Sequence, residues 1–250
     1  MQIQLLFNIQ ESLMRLWPGS FECTKKALSY IDNISDNTRI LEISPVSSQQ
    51  TKSLLDTCKS CRVVAADMNE HFLDELDADF LGTGDYEKLT TVCASMDNLP
   101  FEQGEFDIIW SESLIFDMPF YDRISYWKKF AKPGGYVVLT DLIRFSDKPS
   151  NAAEAFRKKI YNSAGTYEER LCDIKSAGYE PVGFFKLSES LKADYMNRLD
   201  NYVKSLKEEY KNNPEAFLFI SSLEAEIGRY TGLYDEYGLA YFILKNPEII

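Results

Sequence analysis

Residues 39–49, RILEISPVSSQ, together with residues 63–67, VVAAD, decide the fold. The first stretch starts with β-compatible apolar residues around an acid, Glu42, and then breaks into a small-residue turn before a helical pattern. The second is a short apolar run that ends on another acid, Asp67. Strand, tight turn, helix, strand and acid form the first half of a nucleotide-binding α/β sheet. In such sheets an acid about 20 residues beyond the turn meets the ribose hydroxyls.

Strands and helices alternate along most of the remaining chain. This alternation predicts a doubly wound α/β fold with a mostly parallel seven-stranded sheet and helices on both faces. The predicted strands are 39–43, 62–67, 89–93, 106–111, 136–141, 180–187 and 237–244. The predicted helices are 3–16, 21–31, 49–58, 70–79, 120–131, 152–162 and 167–177, and a turn at 132–135 separates the helix 120–131 from the next strand.

Residues 188–236 differ from the rest because they are rich in tyrosine and patterned as two long helices, divided at Asn212-Asn213-Pro214. We predict a single domain over residues 1–250 with this segment as a helical insertion before the last strand. Its aromatic side chains could line a binding pocket, pack in a helical core or form the face of a homodimer.

Charge and cysteine content limit which classes of binding partner and which cellular location the sequence predicts. The net charge of −12 makes a nucleic-acid or anionic membrane partner a poor prospect, since both attract clustered cations. The absence of a long apolar run or a leader pattern at the start predicts no membrane span and no signal peptide. Five cysteines, an odd number, predict reduced thiols and a cytoplasmic location. We interpret Cys58-x-x-Cys61 as buried structural thiols rather than a redox or zinc site, and we predict no metal site.

Three acids follow the carboxyl ends of the first three strands: Glu42, Asp67 and Asp97. In an open α/β sheet, ligands bind outside these carboxyl ends, at the point where the strand order reverses. One such acid is more often a solvated loop residue. Three of them on successive strands favour a ligand site.

Four stretches resemble the class I S-adenosylmethionine-dependent methyltransferases, and the third is the most specific. The resemblance covers roughly residues 17–187 and the last strand. It implies a Rossmann-like methyltransferase fold whose last strand is antiparallel and lies beside the sixth. The four stretches are LEISPVSS at 41–48, VVAAD at 63–67, ASMDNLPFEQGEFDIIWSES at 94–113 and KPGGYVVLTD at 132–141.

The resemblance implies a cofactor, S-adenosylmethionine, and a set of residues that bind it. Asp67 would accept hydrogen bonds from the ribose hydroxyls, with Met68 beside it. Met96 would present its backbone N–H to the adenine ring, and Asp97 would accept from the exocyclic amine. Ser111 would lie near the methionine moiety.

The glycine motif of the family is where this chain departs from it. The family's glycines align with Ser44, Val46 and Ser48, and Pro45 stands between the first two. A non-glycine residue in the left-handed region costs about 1–2 kcal/mol, and Pro45 lacks an N–H. Adenosine recognition therefore looks intact, whereas the loop is expected to crowd the methionine end. Glu42 would anchor this loop or reach the methionine amino group.

Candidates for proton transfer follow the fourth and fifth strands: Glu112, Asp117 and Asp141. Loop solvation is an equal or better interpretation of each, and methyl transfer needs chiefly an in-line geometry rather than a base.

The sequence predicts an S-adenosylmethionine-dependent methyltransferase acting on a small-molecule acceptor. The alternative is a catalytically silent relative that binds an adenosine compound or none and acts as a binding or regulatory module.

Overall fold

The computed structural model describes residues 19–248 except 36, 46, 58–60, 114–117, 161–163, 232 and 234. The predicted first helix, 3–16, therefore lies outside the described residues. The same holds for Val46, Cys58 and Asp117, which the sequence had singled out.

Seven strands form one sheet in the order β3-β2-β1-β4-β5-β7-β6. β7 runs antiparallel between β5 and β6, whereas the other neighbouring strands are parallel. This is the predicted doubly wound, mostly parallel sheet. The strands are β1 Arg39–Ile43, β2 Arg62–Asp67, β3 Leu89–Cys93, β4 Phe106–Ser111, β5 Ala131–Arg144, β6 Glu180–Lys186 and β7 Tyr237–Lys245.

Helices cover the sheet, and several begin at a side chain that accepts a hydrogen bond from an otherwise unpaired N–H. Ser20 caps the first helix, Asn69 caps the third, and Thr166 with Glu169 forms a capping box on the sixth. The helices are α1 Phe21–Leu28, α2 Ser48–Thr57, α3 Glu70–Phe80, α4 Phe120–Trp127, α5 Asn151–Ile160, α6 Tyr167–Ser176, α7 Glu189–Glu209 and α8 Pro214–Thr231, with a short 3₁₀ turn at Tyr86–Lys88.

The sheet buries apolar side chains on both faces, because successive residues of a strand point to opposite sides. Ile40 belongs to the cluster that α1, α2 and α3 cover. Leu41 and Ile43 belong to the opposite cluster, which contains residues of α4 and α6. Glu42 therefore points to the same face as Ile40, in the layer below α1 and α2.

The start of β5 corrects the sequence prediction. The helix 120–131 was predicted to run into a turn at 132–135, but α4 ends at Trp127 and the strand begins at Ala131. Gly134 takes a φ of 78°, and backbone hydrogen bonds join Gly134 and Gly135 to Asn246, beyond β7. The segment 132–135 therefore belongs to a strand, because it pairs with residues more than 100 positions away, and not to a turn that ends a helix.

The insertion forms two helices, α7 and α8, between β6 and β7, as predicted. They share a core of their own, made of Leu199, Val203, Leu206, Ala216 and Ile220. Tyr195, Tyr202, Tyr210 and Phe219 pack against this cluster, which favours the helical-core interpretation of these rings.

The cysteines only partly follow the sequence prediction. Cys61 is buried and forms a disulfide, so the expectation of a reduced thiol is wrong at this position. Cys23, Cys93 and Cys172 are free. Among the residues that the structure covers, no group of three or more His, Cys, Asp and Glu is arranged to hold a metal ion. Within the same residues, every helix is too short or too polar to span a membrane.

Candidate functional site

The strand register brings the predicted cofactor residues to one edge of the sheet. Asp67 is the partner of Cys93 on β3, and the N–H of Ala94 donates to the Asp67 carbonyl at 2.9 Å. On the other side, the N–H of Ser44 donates to the Ala66 carbonyl at 2.8 Å. Four neighbouring strands therefore end in a row, over three spacings of about 4.8 Å, or about 14 Å in all. An elongated ligand can lie across them.

Ser44 has a φ of 51°, which is the left-handed conformation that glycine normally supplies. The turn after β1 thus starts with the backbone shape of the glycine motif, and it does so at a cost of about 1–2 kcal/mol for a residue with a Cβ. Pro45 is buried directly behind it. Ser44 thus adopts, at the first position of the turn, the conformation that the missing glycine would take.

Asp67 is half-buried at the carboxyl end of β2, and its Oδ1 accepts a hydrogen bond from the N–H of Asn69 at 2.8 Å. This contact fixes the carboxylate at the start of α3. Met68 follows and is 74% exposed. The pair presents a carboxylate and an uncovered apolar surface at one point of the sheet edge, which suits a ribose and the ring next to it.

The segment 94–99 leaves β3 and forms a tight loop closed by a bridge between Ser95 and Asn98. Asp97 is exposed, and the Ser95 hydroxyl donates to its Oδ1. Met96 is half-buried, and its carbonyl accepts from the Trp127 indole at 3.1 Å. The Asp97 carboxylate therefore faces solvent, while the hydrogen bond from Trp127 holds the backbone of the loop.

Ser111 ends β4 and is almost fully buried, with its hydroxyl 3.4 Å from that of Ser113. It lies at the same edge because Glu42 of β1 pairs with Trp110 of β4. The structure thus places Ser44, Asp67, Met68, Met96 and Asp97 along one edge, with Ser111 and Glu42 buried below the surface.

Glu112 lies in the core, not at the mouth of the sheet, with 1% of its surface exposed. Its Oε1 accepts hydrogen bonds from Trp110 at 2.9 Å and Thr24 at 3.2 Å, and its Oε2 accepts from Tyr241 at 2.6 Å. These contacts join α1, β4 and β7. A carboxylate held by three donors in the core is poorly placed to exchange protons with a substrate. The geometry favours a structural role over the catalytic one that the sequence suggested.

Glu42 is fully buried on the same face, and its Oε2 accepts a hydrogen bond from Thr51 of α2 at 2.7 Å. Its Oε1 has no hydrogen-bond partner among the described residues. Burial raises the pKa of Glu42 to about 8, the Thr51 hydrogen bond opposes this, and the nearby Glu112 carboxylate adds to it. The bond to Thr51 ties β1 to the helix after the turn, which agrees with the anchoring role.

The free energy of unfolding is expected to depend on pH through Glu42. The unfolded chain releases this proton near the ordinary pKa of 4.5, whereas the folded chain keeps it until about pH 8. Between these values the folded state binds more protons, so stability falls as pH rises, by up to about 1.4 kcal/mol per pH unit. Urea unfolding of the parent and of Glu42→Gln from pH 5 to pH 9 measures this slope. The variant should lose it, and equal slopes in both proteins would contradict the assignment.

A second buried ionic cluster lies at the carboxyl end of β5. Asp141 is 3% exposed and forms ion pairs with Arg123 of α4 and with Arg170 of α6, the latter at 2.8 Å. Arg170 also contacts Asp173 at 3.1 Å. Both guanidinium groups lie against the ring of Phe120. The ion pairs of Asp141 thus hold α4 and α6 on the sheet.

Comparisons with known proteins agree with this geometry. The family model described as a methyltransferase domain matches residues 41–139. A methyltransferase from Thiobacillus denitrificans, solved with S-adenosylhomocysteine, has a TM-score of 0.76 at 16% identity, and the match covers 95% of this chain and 96% of that one. The family match and the strand order confirm the resemblance to class I S-adenosylmethionine-dependent methyltransferases.

One sequence relative and one further solved structure show how far the likeness extends. An uncharacterised protein from Haemophilus influenzae is 26% identical over 152 residues, and the match covers 58% of this chain and 59% of that protein. The cyclase SpnF has a TM-score of 0.71 at 14% identity, with 92% of this chain and 81% of that chain covered. At such identities the structural likeness establishes the fold alone.

Sequence reasoning missed the side chains that support the site from behind. Thr51, Tyr126 and Trp127 each contact a predicted cofactor residue or its loop through a hydrogen bond. Their only sequence signal is a place on the apolar or small-residue face of a helix, which also describes ordinary core residues.

Proposed function

We propose that this protein binds S-adenosylmethionine across the carboxyl ends of β3, β2, β1 and β4 and transfers its methyl group to a small-molecule acceptor. The observation that carries the proposal is the row formed by the Asp97 loop, Asp67 and the turn at Ser44. A φ of 51° at Ser44, the left-handed conformation typical of glycine, supports this interpretation of the turn. A cytoplasmic location belongs to the proposal and rests on composition alone.

Each end of the cofactor meets suitable groups in this arrangement. Asp67 would accept from the ribose hydroxyls, the Asp97 loop would hold the adenine, and Met68 would cover the ring. Glu42 would support the turn that faces the methionine portion. When bound, the cofactor supplies an electrophilic methyl group on a sulfonium, so the chain has to orient the acceptor in line and exclude water rather than activate a strong nucleophile.

A catalytically silent relative remains the second candidate, and one observation favours it. Pro45 stands inside the turn and has no N–H to offer to a ligand carboxylate. Such a protein would still bind adenosine through Asp67 and Asp97. It would differ from the enzyme in showing no preference for the amino-acid portion of the cofactor.

The contribution of Asp67 tests the site. Asp67→Ala is expected to weaken S-adenosylhomocysteine binding by about 1.5–3 kcal/mol, because hydrogen bonds to a charged group are lost. Asp67→Asn keeps an acceptor for the Asn69 N–H and should show most of the same loss with the local fold intact. Isothermal titration calorimetry measures both.

The matched control is Asp74→Ala, which makes the same charge change on the exposed side of α3. It should bind like the parent. If the Asp67 variants also bind like the parent, Asp67 does not contact the ligand, and the proposed site is wrong.

A further inference from the structure

The loop between β3 and β4 is held by two neighbouring residues of one helix. The Trp127 indole N–H donates to the Met96 carbonyl at 3.1 Å. One residue earlier on α4, the Tyr126 hydroxyl accepts from the Leu99 N–H at 2.9 Å. The two contacts bracket Asp97 and Asn98, the tip of the loop, so α4 fixes the backbone immediately before and after it.

These contacts also decide which way the peptide groups of the loop face. No cis peptide bond occurs in the described residues, and in a trans peptide the carbonyl and the N–H point in opposite directions. Because the Met96 carbonyl points at Trp127, the N–H of Asp97 is directed away from α4. It lies beside the exposed carboxylate of the same residue, whose Oδ1 accepts from Ser95.

A donor next to an acceptor matches the chemistry of adenine. The base presents a ring nitrogen that accepts a hydrogen bond beside an exocyclic amine that donates one. Hypoxanthine has an oxygen in place of that amine, so its pattern is reversed at this position. The arrangement assigns the backbone donor to Asp97, one residue beyond the Met96 N–H that the family resemblance implies.

The support is rigid. Trp127 is fully buried, and Leu99 is 7% exposed. Tyr126 packs edge-to-face on Phe130 with ring centroids 5.3 Å apart. A loop held in this way has lost its freedom before a ligand arrives, which raises affinity and sharpens selectivity.

We infer that Tyr126 and Trp127 are positioning residues that hold the loop at Asp97 in the conformation that selects adenine over other purines. The inference rests on the proposed function, since it takes the loop to be the adenine site. Neither residue is assigned a contact with the ligand. Both act through the backbone of the loop.

The experiment compares binding of S-adenosylhomocysteine with that of S-inosylhomocysteine, which differs only at the base edge. Tyr126→Phe and Trp127→Phe each remove one hydrogen bond and keep an aromatic ring. Tyr179→Phe is the matched control, because its hydroxyl donates to the Ile124 carbonyl of the same helix at 3.0 Å and does not reach the loop. Calorimetry gives both affinities, and thermal melting confirms that each variant is folded.

The Tyr126 and Trp127 variants should bind S-adenosylhomocysteine about 3- to 10-fold more weakly and lose preference for it over the inosyl compound by a similar factor. Tyr179→Phe should keep the preference of the parent. An unchanged preference in folded Tyr126→Phe overturns the inference, even if both affinities fall together, and that variant decides the matter if Trp127→Phe does not fold. A parent protein that binds neither compound overturns the proposed function first, and the inference with it.

Discussion

Replacing Glu112 with alanine is expected to lower the free energy of unfolding by about 3–5 kcal/mol. The change removes the shared core acceptor of the Trp110 indole N–H and the Tyr241 hydroxyl, and it leaves the Thr24 hydroxyl only the Ser20 carbonyl at 3.4 Å. Each buried donor that loses its partner costs about 1–3 kcal/mol. For a chain of this size the loss corresponds to a fall of roughly 6–20 °C in the melting temperature.

Glu112→Gln is the control that separates a structural role from a catalytic one. Glutamine keeps an oxygen for Thr24 and Trp110 and offers its amide to the Tyr241 oxygen, so the loss should be about 1 kcal/mol. If Glu112 acted as a base, Glu112→Gln would abolish methyl transfer while leaving the melting temperature unchanged. We expect the reverse order of effects: a large stability change for alanine and a small change in either property for glutamine.

Asp141→Ala is expected to have an effect of similar size for an electrostatic reason. The aspartate is the carboxylate shared by Arg123 and Arg170, and removing it leaves two buried guanidinium groups without their common counter-charge. Removing one partner of a buried ion pair typically costs about 3–5 kcal/mol. Chemical denaturation of parent and variant at one pH measures the difference.

The neighbouring Asp173→Ala provides the comparison. Asp173 pairs with the same Arg170, but its side chain is 31% exposed, so water screens the pair and the loss should stay below about 1 kcal/mol. Equal losses in the two variants would show that burial does not decide the strength of this cluster. A normally stable Asp141→Ala protein without methyl transfer would instead show that the residue serves the reaction.

Most strands of this fold could be predicted because the local sequence pattern specifies them. β1, β2 and β4 are short, mostly apolar runs, β3 is a short run of apolar and β-branched residues, and the boundaries of all four follow from the side-chain pattern. The start of β5 could not be predicted in this way. The hydrogen bonds that make a strand of Gly134 and Gly135 come from Asn246, and no local pattern announces a partner that distant.

In the candidate site, too, some features could be predicted from local sequence and others could not. The acids Glu42, Asp67 and Asp97 were singled out by their positions at strand ends, and the structure places Asp67 and Asp97 at one edge but buries Glu42 beneath α2. The direction of Glu112 could not be read, since a residue just past a strand can point to the mouth or into the core. The contacts of Tyr126 and Trp127 with the loop could not be predicted from the sequence for a related reason. Periodicity identifies a buried face but not the polar atom that a buried ring presents.

Calorimetric titration of the parent protein with S-adenosylhomocysteine, run beside adenosine, tests the central claim most directly. The account predicts micromolar binding of S-adenosylhomocysteine, because the Asp97 loop and Asp67 would hold the nucleoside and Ser44 has the left-handed conformation that glycine normally supplies. It also predicts tighter binding of S-adenosylhomocysteine than of adenosine, which is the opposite of what crowding of the methionine end by the turn, as expected from the sequence, would give. No detectable heat at millimolar S-adenosylhomocysteine would contradict the account.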